Sequence, residues 1–343
     1  MSKKLSKPVY FDLDGICQMK IYGEPALVDA VSRELGFYRI NPQEAPLTLD
    51  MEIELRNFSD FQKSGNPREM PPYDFFGRHK LAKWAIRFER LGQSPRRIKF
   101  YGNIFSRMIV AKQIVEPALR WLAQDLGFIF VHSTALVKDG KGVLIAGRGG
   151  SGKTRILLHW LKQGNAFVSD DFTILSYGRA RRYVTPLRLG ARLLRESGEG
   201  KNLTFASRAS IYARTMLRRL VLNYARLQAK VDIKQIFPAI KMLEQVELSA
   251  VVALADNGQG METISVEEMV EELVRINQDE MYGFSGYLSG LAERTGDRAY
   301  ADFFSVQQAR LLAFLQDIPC YRLYSVRKLD ASGLESLIKK VIF

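Results

Sequence analysis

The chain has 343 residues, 47% of them hydrophobic and 25% charged, with a formal net charge of +13, which is enough length for two moderate cores and the ordinary balance of a folded protein. Its two cysteines, Cys17 and Cys320, stand far apart, which excludes a disulfide scaffold and fits a reducing cytoplasm; three histidines exclude a histidine-rich metal site. No apolar run approaches the ~20 residues that span a bilayer, and Met1-Ser2-Lys3-Lys4 leads into no signal-peptide core, so a cytoplasmic location is expected.

In chain order, Val9–Leu13, Leu47–Leu55 and Arg97–Tyr101 read as strands, the second alternating through Leu49, Met51, Ile53 and Leu55. Ser64–Gly77 carries proline and glycine and reads as a loop, and Phe11-Asp12-Leu13-Asp14-Gly15 reads as a strand end. That pentapeptide mimics the aspartyl nucleophile motif of haloacid-dehalogenase phosphatases, but Ile16 stands where Thr or Val is needed. Helical spacing over Ile114–Leu126 stops at Gly127. The expected division is a smaller α/β domain over 1–115 and a larger domain over 116–343. In the larger domain a strand is expected over Phe128–Val137. A turn at Lys138–Gly142 leads to a second strand, Val143–Ala146, which runs into a glycine-rich loop. A helix over Lys153–Gln163 ends at Gly164, and a short strand, Ala166–Ser169, delivers Asp170-Asp171.

Charge is concentrated between Arg179 and Lys230: thirteen Lys or Arg stand against Glu196 and Glu199, a local balance of +11. The second half of that stretch has helical spacing through Leu217, Leu220, Val221, Tyr224 and Leu227. Val246–Leu254 reads as a buried strand, Ser265-x-x-Glu268 and Ser305-x-x-Gln308 as capping boxes, and a final helix follows Asp330.

The loop Gly147-Arg148-Gly149-Gly150-Ser151-Gly152-Lys153-Thr154 matches G-x-x-x-x-G-K-[ST] in full. Glycines let backbone N–H groups converge on phosphate oxygens, Lys153 brings positive charge to the β- and γ-phosphates, and Thr154 can place its hydroxyl on a magnesium ion. The helix that begins there points its N-terminus at the anion. Asp170 and Asp171 follow sixteen residues after Thr154; one carboxylate can serve magnesium while the other takes a proton from an attacking hydroxyl. His132, fifteen residues before Gly147, reads either as a half-buried structural histidine or as a group that orients the catalytic carboxylate or touches the phosphoryl group. His79 and His159 receive no role.

The run Val131-His132-Ser133, Gly142-Val143-Leu144-Ile145, the loop, and Val168-Ser169-Asp170-Asp171 resembles the HPr kinase/phosphorylase superfamily, including its HPr-kinase-related branches. Ile318-Pro319-Cys320-Tyr321-Arg322-Leu323 resembles the closing segment of those branches. The resemblance is specific over about residues 119–178 and looser beyond. It implies the fold shared with phosphoenolpyruvate carboxykinase, a mixed sheet flanked by helices, with ATP and Mg2+ as cofactors. It also implies Asp170 as general base, Asp171 as magnesium carboxylate and His132 as neighbour of the base. Arg148 stands where HPr kinases carry an acidic residue, and the basic stretch replaces their substrate segment, so HPr itself is not the expected acceptor.

The function expected is transfer of the γ-phosphoryl group to a hydroxyl, first a serine or threonine of a protein or peptide. Alternatives are a kinase acting on a metabolite or sugar hydroxyl, and a nucleotide sensor that binds nucleic acid through the basic stretch. The excess of cations predicts an anionic acceptor, with Arg188, Arg214, Arg218 and Arg219 as candidate contacts. No membrane span is expected, and a homo-oligomer is compatible with the sequence.

Overall fold

The computed structural model describes residues 6–43, 47–63, 74–198, 202–220 and 229–324, together with 333 and 336. It divides into two compact units, Met1–Phe128 with Gln278–Gln307, and Ile129–Asn277 with Gln308–Phe343. Both are built from helices and mixed sheets, an α/β architecture.

The first unit holds strands β1 (Ser6–Asp12), β2 (Gln18–Gly23), β3 (Arg39–Ile40), β4 (Leu49–Asn57), β5 (Asp74–His79), β6 (Ala82–Glu89) and β7 (Arg96–Gly102) in one sheet of order β3-β1-β2-β4-β7-β6-β5. The β2–β4 and β4–β7 pairs are parallel, and the remaining pairs antiparallel. The alternation expected along β4 holds: Met51, Ile53 and Leu55 are fully buried, and they meet Ile98 and Phe100 of β7 through the sheet register. The expected loop Ser64–Gly77 is corrected at its end, because Asp74–Gly77 belongs to β5; residues 64–73 lie outside the described ones. Gly77 faces Trp84 across the β5–β6 pair, where a Cβ would sit 2.2 Å from the indole. The glycine makes room for a cross-strand tryptophan and does not break the strand.

The division between units falls after Phe128, where the sequence suggests 115. The helix Glu116–Asp125 belongs with the first unit because its contacts are there: Trp121 meets the Phe88 ring edge-on at 6.2 Å, and Gln124 Nε2 donates to Phe303 O at 2.7 Å. Gln278–Gln307 returns to the same unit and supplies buried Phe284, Leu288 and Leu291, while Trp84 Nε1 donates to Tyr287 Oη at 2.8 Å.

In the second unit β8 (Ile129–Val131), β9 (Ser133–Lys138), β10 (Lys141–Ala146), β11 (Ala166–Ser169), β12 (Thr173–Ser176), β13 (Arg179–Arg181), β16 (Gln245–Ala255), β17 (Met261–Thr263) and β18 (Cys320–Tyr324) form a second mixed sheet. A small two-stranded sheet pairs β14 (Leu187–Leu189) with β15 (Ala229–Val231). The order β11-β9-β10-β16-β13-β12-β8 puts β10 between antiparallel β9 and parallel β16, and β18 runs parallel on β16. The β9–β10 turn is two residues, Asp139 at φ 50° and Gly140 at φ 78°, the doubly left-handed hairpin turn that matches strand twist. The helix Lys153–Lys162 buries Ile156, Leu157, Trp160 and Leu161 against Leu136, Val143 and Phe167.

The strand expected over Phe128–Val137 is interrupted at His132: β8 pairs with β12, whereas β9 pairs with β10 and β11. The basic stretch is partly strand (β13, β14, β15) and partly helix, over Ala191–Ser197 and Phe205–Leu220. Its apolar side chains Leu187, Leu194, Leu203 and Ile211 join the core of the unit. Val221, Tyr224 and Leu227 lie outside the described residues, as does most of the expected helix after Asp330. Ser265 and Glu268 make the reciprocal capping box, with N···O distances of 3.0 and 3.1 Å. Ser305 does not cap, because its helix already starts at Phe303.

Candidate functional site

Strand β10 is buried from Gly142 to Ala146 and ends on Gly147, so the loop leaves the middle of a sheet at a fixed point. A Cβ at Gly147 would stand 2.5 Å from Ser151 Oγ, so only glycine lets the loop close this tightly. Gly152 sits at φ 116° and turns the chain directly into the helix Lys153–Lys162. The first N–H groups of that helix have no intrahelical carbonyl and carry its positive dipole end, the arrangement that receives a phosphate. Lys153 is buried, with Nζ donating to Gly147 O and, at 3.3 Å, to Arg148 O. Arg148 itself is exposed.

Strand β11 delivers Asp170 and Asp171 as expected. The turn they form is held by hydroxyls: Thr134 Oγ1 donates to Ser169 O (2.8 Å), and Thr173 Oγ1 lies 2.6 Å from Ser169 Oγ and 2.9 Å from Ser133 Oγ. Asp171 adopts φ 70°, a left-handed conformation that aspartate tolerates better than most residues. The two carboxylates then point at different neighbours. Asp170 Oδ2 accepts from Thr154 Oγ1 at 3.4 Å. Asp171 Oδ1 lies 3.7 Å from His132 Nδ1, with the histidine side chain 6% and the aspartate side chain 30% exposed.

The break between β8 and β9 is what turns His132 toward Asp171. Asn277 stabilises the break, accepting from His132 N (3.1 Å) and donating to Phe130 O (2.8 Å), and the imidazole rests on Phe172 with centroids 4.9 Å apart. The resemblance implies His132 beside Asp170 and magnesium at Asp171; the distances pair His132 with Asp171 and Thr154 with Asp170. Asn277, Thr134 and Thr173 carry no motif signal. Asn277 is 145 residues from the histidine it supports and is found only through the fold.

Burial, first, and the Asp171 carboxylate, second, push the Asp170 carboxyl up to about 6, against the pull of Lys153, the Asp171 N–H and the Thr154 hydroxyl. Its Oδ1 is buried without a hydrogen-bond partner. An oxygen in that condition suits a hard divalent cation, and Thr154 Oγ1 is a second oxygen beside it. Among the described residues no group of three or more His, Cys, Asp or Glu gathers as a metal site. A magnesium ion held by Thr154 and Asp170 would therefore take its other ligands from phosphate and water. A small cleft next to Asp170 is lined by Ser169, Tyr183, Thr185, Leu187 and Met242.

The described cations of the basic stretch are carried on several strands and helices. Arg188 stands opposite Lys230 on the β14–β15 pair, Arg214 is exposed on the helix Phe205–Leu220, and Arg218 and Arg219 fall in the last turn of that helix. Arg182 lies 3.3 Å from Glu244 and Arg179 3.7 Å from Glu247, which answers part of the charge. Glu262 and Glu272 are engaged by Arg322, both at 2.8 Å. No helix among the described residues is long and apolar enough to cross a membrane. Comparison with models of protein families and with curated proteins finds no match to this chain.

Proposed function

We propose that the protein is an ATP-dependent kinase that transfers the γ-phosphoryl group to a hydroxyl of a protein or peptide. One observation carries the reading: a complete phosphate loop and an adjacent aspartate pair meet at Thr154, with Asp170 held in an environment that disfavours its charge. A carboxyl in that state beside a phosphate loop is suited to phosphoryl transfer.

In this reading the loop N–H groups and Lys153 hold the β- and γ-phosphates, and Lys153 exchanges its present carbonyl acceptors for phosphate oxygens. Thr154 and Asp170 would hold magnesium, which when bound would neutralise charge on the phosphates. Asp171, whose side chain is 30% exposed, accepts the proton of the attacking hydroxyl, and His132 stands 3.7 Å from that carboxylate, close enough to support its charge. These two aspartate roles are exchanged relative to those the resemblance implies. A peptide hydroxyl ranks first as acceptor because the resembled family phosphorylates a seryl hydroxyl. The cationic excess of Arg179–Lys230 suits an anionic acceptor.

The test is incubation with labelled ATP, magnesium and a cell extract of the source, separated into macromolecular and small-molecule fractions. Label on a protein or peptide is the result expected, and label on a metabolite moves the acceptor to the small-molecule class. Free phosphate alone, at a rate the extract leaves unchanged, overturns the kinase reading.

A further inference from the structure

The first unit carries a rigid apolar tip far in sequence from the loop. The β5–β6 turn is two residues, Lys80 at φ 56° and Leu81, with Leu81 57% exposed at its apex. Beside it a 3-10 turn, Ile104–Met108, leaves Ile104 59%, Phe105 42% and Met108 58% exposed. Polar bonds fasten the two together: Asn103 Nδ2 donates to Leu81 O (2.8 Å), Asn103 N to Lys83 O (3.1 Å), and Ser106 Oγ to Lys83 O (3.0 Å). Four large apolar side chains are thus held outward by a built scaffold, where isolated exposed residues would need no account.

The segment that forms this tip is strongly cationic. Between residues 75 and 115 the only acidic residue is Glu89. Cations deeper in the sheet have acid partners, Arg87 with Asp74 at 2.6 Å and Lys99 with Glu89 at 2.7 Å. Arg78, Lys83 and Arg107 at the tip are exposed and, among the described residues, form no ion pair. An exposed apolar apex flanked by exposed cations fits a surface that accepts hydrocarbon at depth and offers negative charge at its edge. That surface is an anionic lipid bilayer. A protein groove would need to match a projecting tip and supply several carboxylates around it. We propose that this tip docks the protein peripherally on anionic membranes, with Leu81, Ile104, Phe105 and Met108 entering the acyl boundary and Arg78, Lys83 and Arg107 meeting the headgroups. The proposal is independent of the kinase reading.

Co-sedimentation of the full chain with vesicles tests it, using phosphatidylcholine alone and phosphatidylcholine with roughly a third phosphatidylserine. The wild type is expected to sediment with the anionic vesicles, to be released by salt, and to ignore the neutral ones. Phe105→Ser and Ile104→Ser should each weaken anionic-vesicle binding by about 10-fold. Lys83→Gln combined with Arg107→Gln should weaken it by at least that much. Absence of sedimentation with anionic vesicles, equal binding to neutral ones, or indifference to all three variants overturns the proposal. So does a dimer that Phe105→Ser dissolves in a protein that ignores vesicles, since the occupant is then a second copy of the chain.

Discussion

Carboxylates in the two units of this protein are treated in opposite ways. In the first unit the buried ones are met by cations: Asp74 takes both nitrogens of a bidentate Arg87 at 2.6 and 2.7 Å, and Glu54 accepts from Arg56 at 2.6 Å and Arg97 at 2.8 Å. Glu116 is shared by Lys112 and Arg120. In the second unit Asp170 is packed beside another carboxylate, and its Oδ1 is buried without a partner. The first arrangement recovers desolvation through charge-assisted hydrogen bonds. The second leaves part of it unrecovered in the protein alone, and a ligand that brings positive charge can recover it. Burial of an acid is therefore no sign of function by itself; burial without compensation is.

The contrast can be broken most severely at the chemistry. Asp171→Asn should lower phosphoryl transfer by about 10²–10⁴-fold while leaving MgATP binding intact, and Asp170→Asn should weaken binding in a magnesium-dependent way. A binding loss confined to Asp171→Asn would restore the roles that the family resemblance implies. Next in size is the structural set. Asp74→Asn leaves the Arg87 guanidinium without its carboxylate and should lower unfolding free energy by ~3 kcal/mol, read by urea denaturation. A loss under ~1 kcal/mol would mean that solvent already compensates that arginine.

Smaller effects sharpen the picture of His132 and of the basic stretch. Asn277→Ala removes the bonds that hold the β8–β9 break, and should lower turnover by about 10-fold with little change in the KM for ATP. An unchanged turnover would make the break a purely structural feature. Neutralising Arg214, Arg218 and Arg219 together should raise the acceptor KM several-fold and flatten its salt dependence, leaving the KM for ATP unchanged. An acceptor KM that stays constant across salt would return these arginines to solvated surface.

What was legible in the sequence is what local chemistry dictates. The loop, its helix, the strand Ala166–Ser169 with its aspartate pair, and the Ser265–Glu268 cap all follow from short-range rules, and each is found where spacing puts it. The interruption at His132 was not legible, because Phe128–Val137 holds no glycine or proline and has the length of a single strand. The break comes from pairing with Thr173–Leu175 and from Asn277, both distant in sequence. The same holds for Asp74–Gly77, where glycine signals a close tryptophan as readily as a loop. The first unit also recruits Gln278–Gln307, which no boundary drawn from a single position could anticipate. The exchange of aspartate neighbours turns on side-chain direction at Asp171, set by its left-handed backbone.

The most direct measurement compares thermal and urea stability of the wild type and Asp170→Asn, without ligand and with MgATP. A carboxyl raised to about 6 in the fold from 3.8 destabilises the folded state once ionised. The penalty is absent below about 3.8, grows as pH rises, and is complete above about 6. Unliganded Asp170→Asn should therefore be more stable than wild type at pH 8 by up to ~3 kcal/mol, with the gain shrinking toward pH 4. MgATP should stabilise the wild type markedly and the variant little, so that the order narrows or reverses when ligand is present. A variant no more stable than wild type at pH 8, or one that gains as much from MgATP, would contradict the account of Asp170 as a carboxylate only partly compensated in the protein and completed by a cation and its nucleotide.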